Sequence, residues 1–528
     1  MNRCIIFSLM VLITNSVFGG SPDWVQNFGK SVKYPDEMYI TGFGIAALNE
    51  NKNKTQCMDI SVRNAHKELM NKIYLDIKSN AEMRIKEGDN AYSQFYTSVT
   101  KSTSHLKLWG CEVEKFYDKG SKTAYALVYV KRQKLIDHYN SVIKKLNNDI
   151  AHNYILGKSA RKQGDKSLAL KYYLSCYPLF NRLFRAQAII RASSSIMIET
   201  FAELEVKEHE TGSIITIAEL NRAVQDLRKQ PIMSIEDIAV FISSCFRDQL
   251  NETTGQLMIF PFTFQNTGMS SEFAAFLHKN LKNNISCLSG FSIVNWLHTD
   301  NIHSPVNLTD FESADSLFFV MGTYWQQKDS IKIMAEICNY KHDQIVASIN
   351  IMISEKLINK SGLAIKPQNF EAALKDQQLF NNGHFKNNGL ILETWTNRGK
   401  EGIIFFDDEI MDVYINVNMP CYVRLIYHLA NGMRTVLLDN YFIDRSYINI
   451  ACKIPVKFIC DQPFGVEVLQ IFAQTEPFKK IYTELHNGYN ILKEDLYSFL
   501  KNTRGMKMVE YGDALRTEDR IVITTLEN

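Results

Sequence analysis

A chain of 528 residues, at a soft prior of about 150 residues per domain, is expected to fold as three or four domains rather than one. Hydrophobic residues make up 45% and charged residues 22%, with only 11 prolines and 25 glycines, which excludes a disordered, collagen-like or linker-dominated chain. Fifty-nine Lys and Arg against fifty-seven Asp and Glu leave a net charge of +2, so no global field draws the chain to nucleic acid or to an anionic membrane.

Arg3 precedes an apolar run from Cys4 to Ile13, followed by Val17, Phe18 and the small pair Gly19 and Gly20. That order of charged, apolar and small residues reads as a cleaved export signal over residues 1–19, because a spanning helix needs about 20 apolar residues. Cys4 opens the apolar run instead of closing it, so no lipidated first residue is expected. The expected location is the periplasm or the outer-membrane surface, with no transmembrane anchor after cleavage. Nine of the ten cysteines then remain, an odd number that leaves at least one without an intrachain partner. Cys452 and Cys460 are nearest in sequence, yet eight residues of strand would hold them about 26 Å apart against a disulfide limit near 7 Å. They pair only if the chain turns between them.

Residues 20–147 are expected to form a small α+β domain. Tyr39 to Ala46 reads as a strand, Ile60, Ala65, Leu69, Ile73 and Ile77 as one face of a long helix, and Leu106 to Phe116 and Thr123 to Val130 as a hairpin with Asp118-Lys119-Gly120 at its turn. Gly42-x-Gly44 invites a dinucleotide reading, but a polar stretch instead of a helix follows, and a glycine-rich bend at the strand's exit is the preferred one. Pro22-Asp23-Trp24, Tyr34-Pro35, the Tyr39 strand, the long helix and Leu108-Trp109-Gly110 together resemble the LPP-twenty lipoprotein family and the amino-terminal domain of the flagellar H-ring protein T.

Residues 148–250 read as a helical connector containing one tetratricopeptide-like hairpin, carried by Leu156-Gly157, Ala169, Tyr173 and Cys176 about a Gly164-Asp165 turn. Gly157-Lys158-Ser159 mimics the end of a phosphate loop, but His152 stands where that motif needs glycine.

Residues 251–360 alternate strands and helices: Leu257 to Phe262, a helix capped by Ser270 and faced by Phe273, Leu277, Leu281 and Ile285, then Phe291 to Trp296, Leu317 to Trp325, the strand through Ile331 to Ile337, and Ile345 to Ile353. Met258-Ile259-Phe260-Pro261-Phe262 and Val320-Met321-Gly322-Thr323-Tyr324-Trp325 resemble the amino-terminal domain of TolB and its relatives in flagellar outer-membrane and curli-secretion proteins. That resemblance implies an α/β domain.

Residues 385–528 carry short alternating strands, which a β-sandwich buries most naturally. Asn431-Gly432 suits a two-residue type I′ hairpin, Tyr489 to Leu500 is expected to be a helix and Arg520 to Thr525 a last strand. Leu390 to Trp395, Tyr422 to Tyr427, Leu437-Leu438-Asp439-Asn440 and Phe464-Gly465 resemble the domain-of-unknown-function 4384 family. The fold class expected is therefore multidomain α+β, with linkers near 145–152, 248–255 and 358–388.

No Gly-x-Ser-x-Gly, His-Glu-x-x-His or Cys-x-x-Cys pattern occurs, so the chain is read as a non-enzyme without cofactor, catalytic or metal residues. His298, Asp300 and His303 are read as solvated loop residues, and Asp407, Asp408 and Glu409 as a solvated strand entry. Phe264, Trp296 and Trp24 are the residues expected to contact a partner through exposed aromatic surface. The resemblances imply a scaffold or assembly factor near the outer membrane that binds envelope proteins. An accessory or regulatory part of an envelope enzyme system, and a binder of peptidoglycan or polysaccharide, are the alternatives.

Overall fold

The computed structural model describes residues 21–48, 53–86, 108–194, 206–207, 214–227, 232, 234–250, 253–265, 267–285, 290–294, 317–339, 344–381, 389–486, 489–493 and 515–527. Its architecture is multidomain α+β. The expected export signal, Trp296 and the cluster of His298, Asp300 and His303 lie outside the described residues.

At the amino-terminal end, strands Tyr39–Ala47 and Glu112–Asp118 flank the central strand Thr123–Lys131 in an antiparallel sheet. Helix Lys54–Lys86 packs on one face through Ala65, Leu69, Ile73 and Ile77, the stripe its periodicity predicts, against Ile40, Ala126, Val128 and Val130. The approach is close: a Cβ on Gly42 would lie 2.1 Å from the Ala65 carbonyl oxygen, and one on Gly44 2.0 Å from that of Ser61. The expected bend is therefore corrected. Both glycines sit inside a continuous strand, and their missing side chains admit the helix.

Helices Arg132–Lys162 and Lys166–Ser193 form the hairpin that the spacing predicts, with the Asp165 side chain accepting from the Leu168 amide at 2.9 Å as a cap. The linker expected near 145–152 falls instead within the uninterrupted first helix. The second helix serves two cores, since Ala188, Ile189 and Ala192 pack with the amino-terminal sheet whereas Tyr173, Tyr177 and Phe180 join the core of the middle sheet. The connector is a shared beam.

The middle sheet runs, in space, Gln344–Ser354, Ser330–Asn339, Leu317–Gln327, Gly255–Ile259 and Phe291–Ile293, with Thr263–Phe264 also paired to Leu317–Gln327. Its first three strands are antiparallel, and the short strands join parallel to Leu317–Gln327 or to its neighbour. Ile331, Ile333, Ala335 and Ile337 alternate onto the face that shares a core with Phe273, Leu277 and Leu281 of helix Glu272–Ile285. The cap expected at Ser270 shifts by one residue: the Ser271 hydroxyl accepts from the Ala274 amide at 3.4 Å. Ser270 is buried instead, donating its hydroxyl to Phe262 O and its amide to Thr524 Oγ1.

The carboxy-terminal region is a β-sandwich. A seven-stranded sheet, ordered Ile403–Phe406, Arg516–Leu526, Gly465–Gln474, Cys421–His428, Arg434–Ile443, Tyr489–Leu492 and Thr483–His486, shares one core with the three-stranded sheet Leu392–Thr396, Val413–Val417 and Cys452–Lys453. The hairpin turn differs from expectation: Gly432 alone has positive φ, at 85°, its amide donates to Leu429 O, and the Leu429 amide donates to Met433 O. That is a three-residue loop closed by a left-handed glycine, which leaves room for the ordinary backbone of Asn431. The helix expected from Tyr489 begins as a strand, Tyr489–Leu492, zipped to Thr483–His486. Cys452 and Cys460 are both buried as free thiols.

Candidate functional site

Trp24, nominated as an exposed contact, is buried. It sits on the short helix Asp23–Gln26, meets Phe43 edge-on at 6.2 Å, and donates its indole nitrogen to Glu114 Oε2 at 2.9 Å. Glu114 also receives Lys33 Nζ and the Tyr34 hydroxyl, both at 2.6 Å, while Tyr34 stacks on Tyr129 at 3.9 Å. Burial acts to raise the Glu114 carboxyl, but these donors hold it below the ordinary value; burial and the shared carboxylate push the Tyr34 hydroxyl up to about 12. The group fastens the amino-terminal turn to the sheet edge, so Trp24 is an anchor of the fold and not a surface contact.

Phe264 is corrected in the same way. It is 1% exposed, edge-on to Tyr324 at 5.4 Å and to Phe370 at 5.1 Å, with Lys366 Nζ 5.5 Å above its ring. The ring fills the seam between the middle sheet and helix Phe370–Asn381.

The remaining motifs resolve into packing. Gly157 lies inside a helix against the ring of Tyr173, where a Cβ would come within 2.6 Å, so the phosphate-loop mimic is a helix-crossing point. Glu409 accepts from Arg398 Nη2 and from the Phe406 amide, both at 2.6 Å, which commits its carboxylate to a turn. Among the described residues no three His, Cys, Asp or Glu side chains are grouped as a metal site.

Two features could not be read from spacing. Tyr427 donates its hydroxyl to Glu467 Oε2 at 2.8 Å and the Ala430 amide donates to Oε1 at 3.2 Å, at the end of the sandwich. Burial pushes the Glu467 carboxyl up to about 7, a value poised for titration. The second feature is exposed apolar surface at the sandwich edge. Strand Thr483–His486 ends the seven-stranded sheet, Leu485 on it is 74% exposed, and Tyr482 just before it is 82% exposed. Trp109 is half exposed and stacks flat on His138 at 4.1 Å. Its exposure had a signal, the polar sequence that surrounds Leu108-Trp109-Gly110, whereas the sandwich edge depends on which strands pair. Among the described residues no helix is long and apolar enough to cross a membrane.

No family description matches the chain, and no curated protein does. Among solved structures, the LpoB C-terminal domain from Escherichia coli is 10% identical, with 22% of this chain and 98% of that one aligned at a TM-score of 0.18. The secreted protein HP1454 from Helicobacter pylori is 13% identical, with 61% of this chain and 90% of that one aligned at a TM-score of 0.20. Likenesses of that size carry neither fold nor role to this chain, whose architecture rests on its own contacts.

Proposed function

We propose that this chain is an exported, non-catalytic protein of the cell envelope that serves as a scaffold or binding factor near the outer membrane. The amino-terminal order of Arg3, apolar run and small residues supports export. The observation that carries the binding role is the sandwich edge, where the terminal strand Thr483–His486 holds exposed Leu485 beside exposed Tyr482. An open strand edge with apolar side chains is a template for an added strand from a partner, and its exposure has a cost in aggregation unless it is used.

The test joins location to contact. Fractionation with intact-mass measurement should find the mature protein beginning near Gly20 in the periplasmic or outer-membrane fraction. Crosslinking in the producing cell through a photoreactive residue at position 485 should capture an envelope protein, and Tyr482→Lys added to that chain should abolish the adduct while leaving the melting temperature unchanged. A cytoplasmic protein with its first residues intact, or turnover by the purified chain, would overturn the reading.

A further inference from the structure

A buried acid and a joint between modules meet at one residue of the sandwich, Ala430. Its amide donates to Glu467 Oε1 at 3.2 Å, and its carbonyl accepts from Asn369 Nδ2 at 2.9 Å. Asn369 also donates to Val466 O and accepts from the Val466 amide, one residue before Glu467 on strand Gly465–Gln474. Gly465 lies under both partners: a Cβ there would come within 2.6 Å of the Asn369 oxygen and 3.1 Å of the Ala430 Cβ. Asn369 carries helix Phe370–Asn381 through the Ala373 amide, which donates to the Asn369 carbonyl oxygen at 3.0 Å, and Phe370 meets Phe264 of the middle sheet edge-on. Ala430 itself belongs to the hairpin loop 429–433, whose tip, Asn431, Gly432 and Met433, is exposed. One loop residue thus covers the acid and holds the joint.

The Glu467 carboxyl is 3% exposed, and an ionised carboxylate has room for about four donors where this one has the Ala430 amide and the Tyr427 hydroxyl. The titratable groups that face it are Tyr427 and Cys460, and burial together with Glu467 holds both in their neutral forms. Behind Cys460 stand the carboxylates of Asp407, Glu409 and Asp461, of which Glu409 is paired with Arg398. Strand Arg516–Leu526 sets Ile523 opposite Glu467. Helix Phe370–Asn381 packs with Val466 and Val468 on the strand's other face, so its Glu371, Lys375 and Asp376 lie across the sheet. We propose that loop 429–433 is a pH-operated latch, closed on Asn369 while Glu467 holds its proton and released when that carboxyl ionises. The ionised group gains most from water, and the route that breaks no ladder runs through the exposed loop, because Tyr427 is fixed in strand Cys421–His428. Moving Ala430 aside hydrates the carboxylate and takes the Ala430 carbonyl off Asn369. The sandwich is then gripped less firmly by the middle sheet. The sign follows from burial, which raises Glu467 from 4.5 to about 7 with the latch closed, whereas the hydrated group returns to the ordinary range. Opening therefore grows easier as pH rises from 4.5 to about 7 and changes no further above that.

Hydrogen exchange on the full chain, resolved to single amides and corrected for the intrinsic effect of pH, tests the latch. The Ala430 and Val466 amides should exchange about tenfold faster or more at about pH 7.5 than at about pH 5. Their exchange should be insensitive to dilute urea, because a local opening exposes little surface. The Ile471 amide, within the ladder of the same strand, should instead wait for urea-sensitive unfolding. Glu467→Gln, which cannot ionise, should keep both latch amides at their acid-pH exchange at either pH. Exchange of Ala430 and Val466 in step with Ile471 as urea is added, or the same gain with pH in Glu467→Gln, would overturn the proposal. Neither readout involves a partner at the edge strand.

Discussion

Glu467 is the residue on which the sandwich depends most visibly on pH. It is 3% exposed on strand Gly465–Gln474, and its facing groups are the Tyr427 hydroxyl, the Ala430 amide and the Cys460 thiol, none of them a cation. Burial lifts its carboxyl from 4.5 to about 7, with the two donors pulling back. Below about pH 4.5 the acid is neutral in both folded and unfolded chains. Between there and 7 the unfolded chain ionises while the folded one holds its proton, so stability falls as pH rises, by on the order of 3 kcal/mol once pH passes the folded value. Glu467→Gln, neutral throughout, should flatten this part of the stability profile and be the more stable form at pH 8; parallel urea-melt profiles of the two proteins would refute the assignment. The sequence showed an apolar strand here but not which of its residues would face Tyr427, because that depends on the register between two strands, Cys421–His428 and Gly465–Gln474, that no hairpin joins. Gly42 and Gly44 were visible as a motif and their purpose was not, since Ala65 and Ser61 come from a helix whose position only packing decides.

Among the elements, strand Gln344–Ser354 poses a problem that periodicity does not reveal. It is the edge of the middle sheet, and an edge strand leaves backbone groups unpaired. Gln249, near the end of helix Ile235–Leu250, answers it: its amide oxygen accepts from the Ser348 amide at 3.0 Å and its amide nitrogen donates to Ser348 O at 2.9 Å. One side chain thus imitates a neighbouring strand. Gln249→Leu should speed hydrogen exchange at the Ser348 amide and cost about 1–3 kcal/mol, since two buried backbone groups lose their partners. Unchanged exchange would mean that another group covers the edge. The helical character of this region was legible, as were the hairpin at Gly164-Asp165 and the strands of the middle sheet. Tyr489 was misjudged because its local pattern suits a helix, whereas pairing with Thr483–His486 supplies a ladder that local preference cannot anticipate.

At the scale of the whole molecule, the linker read near 358–388 holds a joint. Asn369, just before helix Phe370–Asn381, donates to Ala430 O and Val466 O at 2.9 Å each and accepts from the Val466 amide at 2.7 Å, and Gly465 has no side chain where a Cβ would lie 2.6 Å from the Asn369 oxygen. Gln377 of the same helix donates to Thr267 O at 2.7 Å, so the helix bolts the middle sheet to the sandwich. At the other end Asn418 donates to Ile45 O at 3.2 Å and Lys67 pairs with Glu393, tying the amino-terminal sheet to the sandwich across more than 300 residues of chain. The apolar cluster of the middle sheet extends from Leu146 in the first long helix to Val466 of the sandwich, so these units, though each sheet keeps a core of its own, meet through packed side chains as well as hydrogen bonds. Calorimetry of the full chain should therefore show one cooperative transition where independent modules would give several. Asn369→Ala removes three hydrogen bonds at one joint and leaves each sheet's own ladder intact, so it should split that transition in two, with the sandwich and the middle sheet melting apart. Several transitions in the unsubstituted protein, or a single one that merely shifts in the variant, would show that the joints follow the packing instead of holding it.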